Sequence, residues 1–155
     1  MLVNGVQSNA KIAQVCVMAL KDEPGVAAKL FQALAGEGIN VELILQSIGR
    51  DKTKDISFVV AEEIADKTVE VVKSTFAESD YNEITTDKEV GIVSIKGAGM
   101  MSNPGAASMM FEALYNCGIN IEMIYTSEIK ITVSIRRNKV EAAVEALKDK
   151  FVGIE

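Results

Sequence analysis

The chain of 155 residues contains no histidine and only two cysteines. Without histidine, it lacks the commonest general base and the commonest side-chain metal ligand. Cys16 and Cys117 are far apart and form no metal-binding or redox motif, so we expect two buried structural thiols in a reducing compartment. We therefore predict no catalytic residue, no metal and no cofactor.

Positive charge is also scarce. The 16 lysines and arginines are outnumbered by 22 aspartates and glutamates, and the formal net charge is -6. This balance argues against a nucleic-acid partner and against an anionic membrane surface. No apolar run approaches the length of a membrane span, and residues 1–5 lack the basic start of a signal peptide. We expect a cytoplasmic protein with neither a nucleic-acid nor a membrane partner.

An internal repeat organises the chain. Residues 24–46 match residues 104–126 at a constant offset of 80, and about half of the positions are identical. Residues 69–76 match residues 144–151 at an offset of 75, so the second copy is five residues shorter. We expect the missing residues in a turn between two strands. The repeat predicts two copies of one small unit, each of which gains stability from packing against a partner.

Each copy shows the pattern strand, helix, strand, strand, helix, strand. This order predicts an α+β protein with two ferredoxin-like βαββαβ domains in tandem, each an antiparallel sheet with helices on one face. We place the domains at residues 1–86 and 87–155, with the boundary in a charged stretch. The strands are predicted at residues 11–20, 41–48, 55–61 and 82–86, then at 90–98, 119–125, 129–135 and 152–155.

The two strand-to-helix turns, residues 21–25 and 100–105, are candidate ligand sites. A helix N-terminus presents backbone N–H groups and a positive dipole end, and glycine lets a ligand approach the backbone, so a carboxylate could bind there. The alternative is a purely structural helix start, with Asp22 or Glu23 as the N-cap and Pro24 in the first turn. Repetition does not decide between them, because a shared ancestor would repeat a structural turn too.

The second strand of each copy ends in short polar side chains. Gln46 in the first copy, and Thr126 and Ser127 in the second, could hold an ammonium or a hydroxyl group. In a ferredoxin-like unit this strand end can neighbour the strand-to-helix turn, within one copy or across an interface. Asn40 and Asn120 begin these strands, and we interpret them first as turn residues that follow a helix-ending glycine.

Taken together, these motifs resemble a tandem pair of ACT domains, which are small amino-acid-binding modules, and more narrowly the regulatory region of aspartate kinase. The resemblance covers almost the whole chain and includes no kinase domain. It implies a non-catalytic regulatory subunit or domain, with the first ACT domain at 1–86 and the second at 87–155. The motifs are Asp-x-Pro-Gly-Val-Ala-Ala-Lys at 22–29, Ile-Leu-Gln at 44–46, Asn-Ile-Glu-Met-Ile at 120–124 and Thr-Ser-Glu-Ile-Lys-Ile at 126–131.

The resemblance also implies an effector and partners. Such regions bind threonine, lysine or both at interfaces between ACT domains and inhibit the kinase, which gives feedback control of aspartate-family amino-acid biosynthesis. The implied partners are an aspartate kinase catalytic subunit or domain and a second copy of the chain, in a homodimer formed through ACT domains. The alternatives are a dimerisation module without ligand and an amino-acid sensor of another enzyme. The implied effector-binding positions are Asp22, Gly25, Ala27 and Gln46 in the first copy, and Asn103, Gly105, Ala107, Asn120, Ile121, Thr126 and Ser127 in the second.

Overall fold

The computed structural model describes residues 3–98 and 104–151, which divide into two units. The first unit comprises residues 11–88, and the second joins residues 3–10 to the part of the chain that begins at Glu89. The expected boundary after residue 86 placed residues 3–10 in the first domain, whereas the structure joins them to the second unit. In chain order, the elements are β1 (Val3–Asn9), β2 (Ile12–Lys21), α1 (Val26–Gly36), β3 (Glu42–Ile48), β4 (Thr53–Ala61), α2 (Ala65–Thr75), β5 (Glu83–Asp87), β6 (Val90–Gly97), α3 (Pro104–Asn116), β7 (Met123–Thr126), β8 (Lys130–Arg136) and α4 (Val140–Lys150).

The first unit has the predicted ferredoxin-like topology. Its sheet has the strand order β3-β4-β2-β5, and every neighbouring pair is antiparallel. Alternate residues of the two central strands face α1 and α2, because side chains in a strand point to opposite faces in turn. The residues of this core with no measurable exposure include Val15, Val17, Leu30, Leu34, Phe58 and Val72.

The second unit repeats the arrangement with one exchange of strands. Its sheet has the order β1-β6-β8-β7, so β1 occupies the edge position that β5 occupies in the first unit. β1 pairs antiparallel with β6 from Val3 opposite Gly97 to Asn9 opposite Ile92. No strand was predicted at β1, and the strand predicted at residues 152–155 lies outside the described residues. The predicted fold class is confirmed in both units.

Most predicted element bounds differ from the structure by one or two residues. The largest difference is β7, which begins at Met123 and not at residue 119. Gly38 and Gly118 follow α1 and α3 with φ values of 71° and 68°, as predicted for glycines that end helices. The expectation of two buried thiols is wrong for Cys117, which is exposed in the turn after α3, while Cys16 is half-buried.

None of the helices within residues 3–98 and 104–151 is long and apolar enough to cross a membrane.

Candidate functional site

The turn between β2 and α1 differs from its predicted capping. The helix begins at Val26, and its N-cap is Gly25 in the left-handed conformation, with φ at 89°. Pro24 therefore precedes the helix, and neither Asp22 nor Glu23 caps it, because the residue at the cap position has no side chain. The carbonyl of Glu23 accepts a hydrogen bond from the N–H of Val26 at 3.3 Å. The carboxylates of Asp22 and Glu23 are thus left for other contacts.

Asp22 is instead held by a buried lysine. Its Oδ1 lies 3.2 Å from Nζ of Lys54, and the side chain of Lys54 is 9% exposed while that of Asp22 is 48% exposed. Lys54 continues the core-facing alternation of Ile56 and Phe58 along β4, so its ammonium group emerges from the core beneath the turn. The N–H of Asp22 also donates to the carbonyl of Lys52 at 2.8 Å. One side of this carboxylate is therefore fixed, and the other faces solvent.

A second ion pair ties the turn to the segment between α2 and β5. Nζ of Lys21 lies 3.3 Å from Oδ1 of Asp80, whose Oδ2 accepts the N–H of Ala77 at 3.1 Å. The hydrogen bond from Lys21 and that from the Ala77 backbone hold the pKa of the Asp80 carboxyl below its ordinary value. Beside this pair, Nζ of Lys29 lies 5.1 Å from the centre of the Phe76 ring, within the range of a cation–π contact.

The side chains of Lys21, Lys29, Phe76 and Asp80 line a cleft of about 220 Å³ beside the start of α1. Its wall carries two positive and two negative side chains together with apolar surface from β2, α1 and Phe76. The lining residues are Leu20, Lys21, Glu23, Pro24, Gly25, Val26, Lys29, Phe76 and Asp80. The cleft and the Asp22–Lys54 pair therefore make the β2–α1 turn the best-formed candidate site in the first unit.

Gln46 lies apart from this turn within the first unit. It is exposed on the edge strand β3 and pairs with Ile56, so β4 separates it from β2. The structure thus brings Asp22, Gly25 and Ala27 together in one segment and leaves Gln46 at the sheet edge. Ile44 and Ile48 on the same strand are 46% and 93% exposed. An edge strand with exposed apolar side chains is a template for pairing with another chain.

In the second unit, the structure describes all of the predicted effector-binding positions except Asn103. Gly105 and Ala107 lie in the first turn of α3, where Gly105 is exposed and Ala107 is half-buried. Asn103 lies outside the described residues. The remaining positions lie along the segment that leads into and out of the edge strand β7: Asn120 and Thr126 are exposed, and Ile121 and Ser127 are half-buried.

This edge also resembles β3 in exposing apolar side chains. Ile124 is 45%, Tyr125 42% and Ile129 62% exposed. The N–H of Ser127 donates to the carbonyl of Lys130 at 2.8 Å and closes the short turn from β7 to β8. Each unit therefore has one edge strand, β3 or β7, that exposes apolar side chains.

Two contact residues of the first-unit site, Lys54 and Asp80, were not identified from the sequence, whereas Lys21 lay in the candidate turn 21–25 without a predicted partner. A signal for Lys54 was available, because a lysine stands where the alternation of β4 predicts an apolar residue. Lys21 and Asp80 are brought together only by tertiary folding. Among the described residues there is no group of three or more cysteine, aspartate or glutamate side chains placed to hold a metal ion.

Comparisons with known proteins agree with this architecture. The family model described as "ACT domain" matches residues 15–76 and 93–151. An aspartokinase of Corynebacterium glutamicum is 38% identical over 152 residues, which are 97% of this chain but 36% of that protein. The chain thus spans 36% of the length of this curated relative.

Two solved structures match over nearly their whole length. The regulatory subunit of aspartate kinase from Thermus thermophilus, in a ligand-free form, has a TM-score of 0.89 and 35% identity, over 98% of this chain and 100% of that one. A structure of aspartokinase alpha and beta subunits has a TM-score of 0.86 and 35% identity, over 96% of this chain and 98% of the matched one.

Proposed function

Because the chain belongs to the ACT-domain family and matches the regulatory part of aspartate kinase, we propose that it binds threonine or lysine and thereby inhibits an aspartate kinase catalytic subunit or domain. This would make it a non-catalytic element of feedback control in aspartate-family amino-acid biosynthesis. The catalytic chemistry belongs to the part of the relatives that this chain does not match.

The observation that carries the proposal is the half-exposed carboxylate of Asp22 beside the start of α1. An amino acid offers an ammonium and a carboxylate on one carbon. Asp22, fixed on one side by Lys54 at 3.2 Å, suits the ammonium. The backbone N–H groups of Gly25 and Ala27 suit the carboxylate, because a helix start attracts anions and Gly25 places no side chain in the way.

Sheet-edge pairing supports a homodimer as part of the same proposal. The exposed isoleucines of β3 and the exposed Ile124 and Tyr125 of β7 would be buried if these edges paired with a second copy. Such pairing would bring Gln46 or Thr126 of one copy towards a strand-to-helix turn of the other. An effector bound between two copies then stabilises one arrangement of them, and a coupling of about 1–3 kcal/mol would change kinase affinity or activity about 5–150-fold.

The same exposed edges favour a second candidate function, a dimerisation module without ligand. The two functions make different predictions for ligand binding. A sensor binds threonine or lysine saturably, whereas a pure dimerisation module keeps its oligomeric state and melting temperature unchanged when either amino acid is added.

Calorimetric titration of the full chain with threonine, and separately with lysine, tests the proposal. We expect saturable binding of at least one, and at least about a tenfold loss of affinity in Asp22→Asn, because a charged hydrogen bond contributes about 1.5–3 kcal/mol. Glu37→Gln is the matched control, since it removes an exposed carboxylate at the far end of α1, outside the cleft, and should leave affinity nearly unchanged. The absence of binding to both amino acids at millimolar concentration would contradict the sensor and favour the dimerisation module.

A further inference from the structure

We propose that Lys54 determines specificity in the first-unit site: its charge neutralises Asp22, so the site prefers threonine, whose side chain is uncharged, to lysine. This inference rests on the proposed binding of an amino acid at Asp22. It concerns a residue that none of the sequence motifs identified, and it chooses between the two effectors that the motifs leave open.

The burial of Lys54 is the first observation. Its ammonium group lies 3.2 Å from the Asp22 carboxylate, and its side chain is 9% exposed. A buried charge that loses its only partner is strongly destabilising, because desolvation is no longer compensated. Lys54 therefore keeps its contact with one oxygen of Asp22 when a ligand arrives, and the ligand meets a neutral ion pair in place of a lone carboxylate.

The charges around the neighbouring cleft are the second observation. Lys21 is paired with Asp80, and the remaining charged lining residues are Lys29 and Glu23. The cleft therefore presents two positive and two negative side chains and offers no surplus negative charge to a second ammonium group. The α-ammonium of any amino acid can use Asp22, but the charged side chains of the cleft sum to zero, so the cleft gives the side-chain ammonium of lysine no net attraction.

The third observation is that the ion pair belongs to one copy of the repeat. Strand pairing aligns β4 with β8 through two core-facing pairs in each unit: Val17–Ile56 and Val15–Phe58 in the first, Ile95–Ile131 and Val93–Val133 in the second. By this register, Ile129 stands where Lys54 stands. The repeat offset is 78 at β2 and 80 from Pro24 onwards, so Asp22 corresponds to a position within 100–102, where the residues are Met, Met and Ser and none is charged. Both charges are replaced together, as expected if they serve one site that the second copy does not share.

The expected effect follows from a single unit charge. At an effective dielectric constant of about 20, two unit charges about 12 Å apart change an affinity about tenfold. The interaction of Lys54 with the α-ammonium is common to threonine and lysine. The ratio of their two dissociation constants therefore isolates the effect on the lysine side chain and cancels any general loosening of the turn.

The test is calorimetric titration of the full chain and its variants with both amino acids. The unaltered chain should bind threonine more tightly. Lys54→Met, which keeps an unbranched side chain of similar length, should shift the ratio about tenfold towards lysine. Lys54→Arg keeps the charge and should keep the ratio. Lys52→Met removes an exposed charge from the turn between β3 and β4, two residues before Lys54. It is the matched control that should leave the ratio of dissociation constants unchanged.

Asp22→Asn supplies a test of opposite sign. This substitution leaves the charge of Lys54 unneutralised, so the ratio of the two dissociation constants should shift further in favour of threonine. If Lys54→Met does not fold, Asp22→Asn alone tests the proposal. An unchanged ratio in Lys54→Met or in Asp22→Asn, or tighter binding of lysine by the unaltered chain, would overturn the role of Lys54 and leave the proposed function standing. If the unaltered chain binds neither amino acid, both proposals fail.

Discussion

Replacing Gly91 with alanine should destabilise the second unit selectively. Gly91 lies on β6 opposite Ile135, at the point where β6 meets the first residue of α4. A Cβ atom at this position would overlap Cγ2 of Val140 and lie 3.4 Å from the carbonyl oxygen of Asn9. Val140 is 6% exposed and β-branched, so its side chain has few rotamers by which to move away. Relief would require α4 or β1 to shift.

The expected cost follows from overpacking. Forcing an extra methyl group into a packed core costs about 1–3 kcal/mol, and removing a glycine from a strand returns about 0.5–1 kcal/mol. Because the overlap with Cγ2 of Val140 is severe, the cost lies in the upper half of this range, and we expect Gly91→Ala to lower the free energy of unfolding by about 1–2.5 kcal/mol, measured by urea denaturation. In a double-mutant cycle with Val140→Ala, the two changes should be non-additive, since the second removes the methyl group that the first strikes.

Gly36→Ala is the matched control for this prediction. Gly36 is the last residue of α1, and a Cβ there would meet nothing within 4 Å. The substitution should stabilise the first unit by about 0.5 kcal/mol through lower chain entropy. The reasoning would be refuted if Gly91→Ala were as stable as the parent chain, or if its cost were unchanged in the Val140→Ala background.

Two further predictions concern β1 and Asp80. Removing residues 1–10 should accelerate amide hydrogen exchange more strongly in β6 and β8 than in β2 and β4, because β1 belongs to the sheet of the second unit; equal acceleration in both units would contradict that division. For Asp80, whose folded pKa is lowered from 3.8, the contact with Lys21 stabilises the fold above that ordinary value and is lost as the pH falls through the lowered pKa. A carboxyl NMR titration should show a midpoint below 3.8 that rises in Lys21→Met, and an unchanged midpoint would show that Lys21 is not the cause.

The repeat made most of the fold predictable. Its two offsets defined two similar units, and the apolar spacing located the helices and all the strands of the first unit, because these signals are local. Gly38 and Gly118 were recognisable for the same reason, since a left-handed residue after a helix favours glycine whatever surrounds it.

The details of the site were less predictable, because they depend on contacts between distant segments. Asp22 or Glu23 was expected to cap α1, but the structure pairs Asp22 with Lys54, 32 positions further along the chain. Gly25 takes the N-cap position in the left-handed conformation. Glycine adopts this conformation easily but also adopts others, so its presence alone did not predict the cap. The partner of Lys21 is Asp80, on a segment after α2 that no local pattern connects with the turn.

The position of β1 also depends on a contact between distant segments that no local pattern predicts. This contact links the stability of the two units. Val3 and Val6 are the only valines in a mostly polar strand, and the pair Asn9–Ile92 that closes the ladder with β6 is separated by residues 10–91. Those residues contain the whole first unit, residues 11–88, whose own first and last strands pair through Gln14 and Asp87. Folding of the first unit therefore brings the two ends of this long connection close together.

The free energy of this link can be estimated from chain entropy. Closing a loop costs about (3/2)RT ln n, so a tenfold shorter effective connection between β1 and β6 saves about 2 kcal/mol. That saving is available only while β2 and β5 remain paired. A substitution that unfolds the first unit should therefore weaken the attachment of β1 to β6 as well, although it touches no residue of the second core. The insertion of one unit between two strands of the other thus provides a thermodynamic connection between them that requires no contact between their surfaces.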